Sequence, residues 1–124
     1  MVITVDELRE LETGGETGCS RRGLRALTRV LNESGSDKAA RVDVLRLICA
    51  YAREDHVEPL EFLRHREKYL GERQRLYDME IYRERGTSTA MRSKLRDVQT
   101  LRDALADMAE RADFEYLIRK HERL

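Results

Sequence analysis

Residues 59–89 read PLEFLRHREKYLGERQRLYDMEIYRERGTST, and the parsing of this stretch decides the fold. Pro59 suits the first turn of a helix, where its missing N–H costs nothing. Stepping 100° per residue puts Leu63, Leu70, Tyr77 and Ile81 on one seam and Phe62, Tyr69 and Leu76 on an adjacent one. The helical pattern runs to about Arg85, with Gly71 as a weak point worth about 1 kcal/mol. Gly86-Thr87-Ser88-Thr89 then joins a C-terminal glycine to N-cap candidates. A second long helix follows, so the two are expected to fold back as an antiparallel αα-hairpin.

Two apolar seams on one helix imply two neighbours, and a two-helix hairpin cannot cover both. Leu63, Leu70 and Tyr77, with Arg66 and Arg73, are therefore the expected self-association residues of a homodimer. Arg66, Arg73 and Glu80 form a polar column between the seams. Such a column either snorkels outward along its aliphatic stems or forms a partly buried ionic layer that fixes register and oligomer state.

The second hairpin helix carries one continuous stripe of Met91, Leu95, Val98, Leu101, Leu105, Met108 and Ala112. After it the phase jumps by roughly 150°, and Phe114, Leu117, Ile118, His121 and Leu124 share the new face. Either the chain bends after Ala112 and folds this face onto its own head, or the last turns serve another surface. The second outcome makes Phe114, Leu117, Ile118 and Leu124 an expected partner-docking site.

Upstream, Thr4-Val5-Asp6-Glu7 fits a capping box, flanked by Ile3 and Leu8 at staple positions. Val5, Leu8 and Leu11 share a face, and Gly14-Gly15 ends this short element. Ser20 is an N-cap candidate for a helix over 21–33 with Leu24, Leu27, Val30 and Leu31 inward. Ser36 or Asp37 caps the next, where apolar residues from Val42 to Tyr51 occupy nearly the whole circumference. Such a helix is central and buried. The fold expected is all-α and single-domain. A small bundle of about three helices spans residues 1–57, and a long αα-hairpin with coiled-coil-like packing spans 58–124.

Composition agrees: Leu, Ala, Arg and Glu dominate, tryptophan is absent, and Pro59 is the only proline. The 24 basic and 24 acidic side chains cancel, so no global field draws the chain to nucleic acid or acidic membrane. No apolar run approaches the ~20 residues of a membrane span, and residues 1–4 lack the pattern of a secretory signal. Cys19 and Cys49 are too few for a disulfide framework, which favours reduced thiols and a cytoplasmic protein.

Chemistry is scarce. No HExxH, P-loop, GxGxxG or GxSxG occurs, and His56, His65 and His121 are scattered. Neither long helix has the Glu-x-x-His spacing of a di-iron site. The expectation is therefore a non-enzymatic protein without cofactor or metal, an adaptor or assembly module whose partner is another protein or itself. The alternative is a nucleic-acid-binding regulator. Arg22, Arg25 and Arg29 line one side of the second helix, where phosphates would meet them. Arg21 and Arg22 have the wrong sign for that helix's positive end, so something acidic is expected to compensate there, either the neighbouring acidic first helix or a phosphate backbone.

Overall fold

A computed structural model describes residues 2–13, 20–85 and 89–122, and every regular element among them is helical. In chain order these are α1 (Val5–Thr13), α2 (Arg21–Asn32), α3 (Lys38–Glu54), α4 (Pro59–Arg64), α5 (Arg66–Arg83), α6 (Thr89–Arg111) and α7 (Phe114–His121). The Gly14-Gly15 terminator, Cys19, the Gly86-Thr87-Ser88 turn and Leu124 lie outside the described residues.

The local signals at the helix starts hold. The Glu7 amide donates to Thr4 Oγ1 at 3.3 Å and the Thr4 amide donates to Glu7 Oε1 at 3.4 Å, closing the capping box. Ile3 and Leu8 are both buried, as a hydrophobic staple requires, whereas Val5 faces solvent. Ser20 accepts from the Gly23 amide and Asp37 from the Ala40 amide. At Gly23 the first turn of α2 comes close to the start of α4. A Cβ there would stand 2.7 Å from Glu58 Oε2 and 2.9 Å from Pro59 Cδ. That places the Glu58 carboxylate, from the start of α4 rather than from the acidic first helix, beside Ser20 at the positive end of α2.

α3 is the central element, in contact with α2, α4 and α6. Val44, Leu45, Ile48, Cys49, Tyr51 and Ala52 are buried on it, with Val42 and Leu47 half-buried. Arg41 is buried too, donating from Nε to Asp37 O and from one terminal nitrogen to Asn32 Oδ1 at 3.2 Å. Asn32 Oδ1 also accepts from the Ile3 amide, tying the α1 entry to the α2 exit.

Two expected helices are each divided. The helix starting at Pro59 breaks at His65, whose ψ of 36° interrupts the spiral after six residues. Arg66 donates to Leu63 O at 3.2 Å, capping a carbonyl at the break. Gly71, the expected weak point, stays helical. The break lets Leu60, Phe62 and Leu63 stay with α2 and α3 while α5 departs along α6. The final helix ends at Arg111, and Asp113 caps a new one by accepting from the Tyr116 amide at 3.1 Å. α7 then packs against α2 and α4. One contiguous core joins residues of α2, α3, α4 and α7 to Val98, Leu101, Leu105 and Met108 of α6.

Candidate interaction surface

The polar column does not form one ionic layer; its three members have three different fates. Arg73 is 7% exposed. One terminal nitrogen donates to Glu54 Oε2 at 2.7 Å and to the Tyr77 hydroxyl at 3.2 Å. The other donates to the Tyr51 carbonyl at 3.1 Å and to Asp55 Oδ1 at 3.0 Å. Its guanidinium also lies 4.2 Å from the centroid of the Tyr51 ring. Three of the four acceptors come from the last turn and cap of α3, so the cation sits where that helix leaves carbonyls and negative potential. Burial works against its charge, but the Glu54 hydrogen bond and the Asp55 charge outweigh it, holding the pKa above the usual range. Burial also pushes the Tyr51 phenol up to about 12. Arg66, by contrast, stacks 4.9 Å from the Phe114 ring centroid, and Glu80 pairs with Arg83 on the surface.

The residues expected to bind a second copy therefore face inward. Leu63 and Leu70 are buried, Arg73 is buried in the node, and Tyr77 and Arg66 are half-buried within the same chain. The expected docking site changes in the same way. Phe114, Leu117 and Ile118 are 4%, 7% and 1% exposed, covered by α2 and α4. The break at Ala112–Asp113 turns α7 back onto the head, so the rotated face becomes ordinary core. Its ends are fastened as well. Arg64 pairs with Glu115 at 3.2 Å and Glu122 at 3.0 Å, while Glu33 receives Lys120 at 2.7 Å and His121 at 2.5 Å.

What stays open lies on the opposite side of α5. Leu76, Met79 and Tyr82 are 59%, 52% and 86% exposed. Beside them a shallow groove of about 660 Å³ runs between α5 and Arg102 of α6, lined by Gly71, Gln74, Arg75 and Asp78 among others. Sequence reasoning placed Leu76 in a seam but passed over Met79 and Tyr82. Their signal was the three-residue step from Leu76 to Met79 to Tyr82, a helical period offset from the inward seam.

Arg22, Arg25 and Arg29 are exposed on the outer side of α2. Arg25 and Arg29 border a groove whose other wall is Ile3, Val5 and Leu8. Cys49 is fully buried, and no group of three or more His, Cys, Asp or Glu among the described residues is arranged to hold a metal. No described helix is long and apolar enough to cross a membrane. The chain matches no protein-family model, no curated protein and no solved structure.

Proposed function

We propose that this protein is a non-enzymatic interaction module that self-associates through its long helices. The observation that carries this reading is the open apolar face of α5. Single exposed apolar residues are ordinary, but Leu76, Met79 and Tyr82 follow one another along one side of a helix whose other side is already packed. In this reading the bundle of α2, α3, α4 and α7 is a scaffold, and the α5–α6 hairpin is the arm that presents the contact. A reducing, cytoplasmic setting belongs to the same proposal and suits the buried Cys49 thiol. Light scattering coupled to size exclusion, from low to high micromolar concentration, tests it. The expected mass rises above that of one 14.6 kDa chain; one-chain mass throughout the range would overturn it.

A second reading, nucleic-acid binding, is favoured by the exposed row of Arg22, Arg25 and Arg29. It requires affinity that falls steeply with salt as phosphate counterions are released, and that is lost in the Arg22→Ala, Arg29→Ala double variant. No binding of mixed-sequence duplex or single strand at low salt would remove it.

A further inference from the structure

We propose that the occupant of the open face is a second copy of this chain, laid antiparallel along α5 with the two-fold axis between Tyr77 and Asp78. The inference rests on the self-association reading and names its surface and register. Glu72, Leu76, Met79 and Arg83 are exposed and spaced four, three and four residues apart. On a helix these positions fall within about 60° of one another, the seam geometry of a coiled coil.

The order along this seam is acid, apolar, apolar, base, which is its own complement when read backwards. An axis between residues 77 and 78 sets Leu76 against the second copy's Met79 and Glu72 against its Arg83. Each contact occurs twice by symmetry. On the flank, Arg75 comes within two residues, about 3 Å along the axis, of the second copy's Tyr82, which brings a guanidinium within reach of an exposed ring. Other arrangements are penalised. Parallel pairing sets Glu72 on Glu72 and Arg83 on Arg83, and an antiparallel axis at Met79 sets Arg75 against Arg83. The charges thus select one register, as flanking charges do in coiled-coil pairs.

Arg83 already meets Glu80 at 3.2 Å, but with 69% and 40% of the two side chains exposed that pair is weak and leaves guanidinium donors free to turn. A single pair of helices in contact buries an area at the low end for specific complexes, under about 1,200 Å² in total. Dissociation constants in the micromolar range therefore follow, and assembly is concentration-dependent.

The experiment is sedimentation equilibrium on the full chain, three charge variants and one apolar-face variant, with circular dichroism melts as the folding control. Glu72→Arg alone and Arg83→Glu alone each replace two attractions with two repulsions and should weaken dimerisation about tenfold. The double variant Glu72→Arg, Arg83→Glu restores complementarity and should return to within about threefold of the parent. All three melt close to the parent, because both positions are exposed. Leu76→Glu, a second probe of the face, abolishes the dimer without unfolding the chain. A parental dimer indifferent to the single reversals and to Leu76→Glu overturns the face while leaving self-association standing. Weakened singles that the double swap does not rescue overturn the antiparallel register. A parental monomer throughout overturns this inference and the self-association reading together.

Discussion

α7 and the second half of α5 are both amphipathic, both follow a packed helix, and both display large apolar side chains. They end differently. α7 is preceded by two non-helical residues, Ala112 and Asp113, which allow the chain to change direction before Phe114. Its apolar face is delivered to α2 and α4, and three ion pairs from Arg64 and Lys120, with the His121–Glu33 contact, pin it at both ends. α5 runs unbroken from Arg66 to Arg83. It gives Leu70, Arg73 and Tyr77 to its own chain, and a straight helix cannot turn its opposite side to the same neighbours. The difference teaches that an apolar stripe is internal when the backbone before it can bend, and remains available when it cannot.

The largest effects should come from opening the α7 contact. Phe114→Ala removes a ring that is 4% exposed and leaves Arg66 without the aromatic face it stacks on. A loss of about 3–4 kcal/mol is expected for such a truncation. For a chain of this length that lowers Tm by more than about 8 °C. Ile118→Ala, at a site 1% exposed, should cost about 2–4 kcal/mol. Met79→Ala on the open face should move stability by less than about 1 kcal/mol. Thermal melts of the three variants check the contrast. A Phe114→Ala protein that melts like the parent would make α7 a free surface and dissolve the comparison.

Arg73 sharpens the comparison within α5 itself, because it is the charged residue that the helix turns inward. Arg73→Ala leaves the Tyr51 carbonyl, the Tyr77 hydroxyl and the Asp55 carboxylate without their donor. A cost of about 3 kcal/mol follows, the lower end for breaking a buried charge network, since Glu54 and Asp55 retain access to water. Arg73→Leu keeps the volume and should cost less. Arg83→Ala, ten residues on and facing solvent, should stay within about 0.5 kcal/mol. Urea titrations give the three values. Equal costs at positions 73 and 83 would mean that α5 has no inward polar side.

Much of the fold was legible where local chemistry decides it. Thr4-x-x-Glu7, Ser20, Asp37 and Pro59 mark helix starts because a cap satisfies donors within a few residues of itself. The centrality of α3 was legible because residues from Val42 to Tyr51 leave it little polar surface. The break at His65 was not, because Leu63 to Arg66 contain neither glycine nor proline. Nor do they carry a Ser, Thr, Asp or Asn to act as an N-cap; the turn there serves contacts made far away in sequence. The direction of each α5 seam was equally hidden. Two similar stripes on one cylinder are distinguishable only once the neighbours are in place, which is why Leu63, Leu70 and Tyr77 looked like the self-association seam. At α7 the phase jump showed that the apolar face changes direction, but not whether the helix breaks near Asp113 or runs on with its last turns serving another surface. The break and the packing of α7 on α2 and α4 appear only in the structure.

The smallest expected effect concerns acid, and it acts on the pins of α7 rather than on its apolar face. The hydrogen bond from Lys120, and then that from His121, hold the Glu33 carboxyl below its ordinary value of 4.5. Burial alone would raise Glu115, but hydrogen bonds from Arg119 and Arg64 prevail and lower it as well. A carboxylate whose folded pKa lies below its unfolded one contributes stability that is fully present above the unfolded value. That contribution is lost as pH falls through the folded value. The contacts are therefore intact at pH 6 and fade below about 4.5. The effect is modest, because 37% of the Glu33 side chain and 48% of Glu115 remain exposed and screened by water. Hydrogen-exchange protection resolved by residue reads it directly. Between pH 6 and pH 3.5 the α7 amides should lose protection before those of α3, whose burial does not depend on these carboxylates. Glu33→Gln should shrink the α7 response, since an amide has no proton to gain in that range. If α7 and α3 lose protection together in both proteins, the ionic pins carry nothing and the apolar contact alone holds α7 closed.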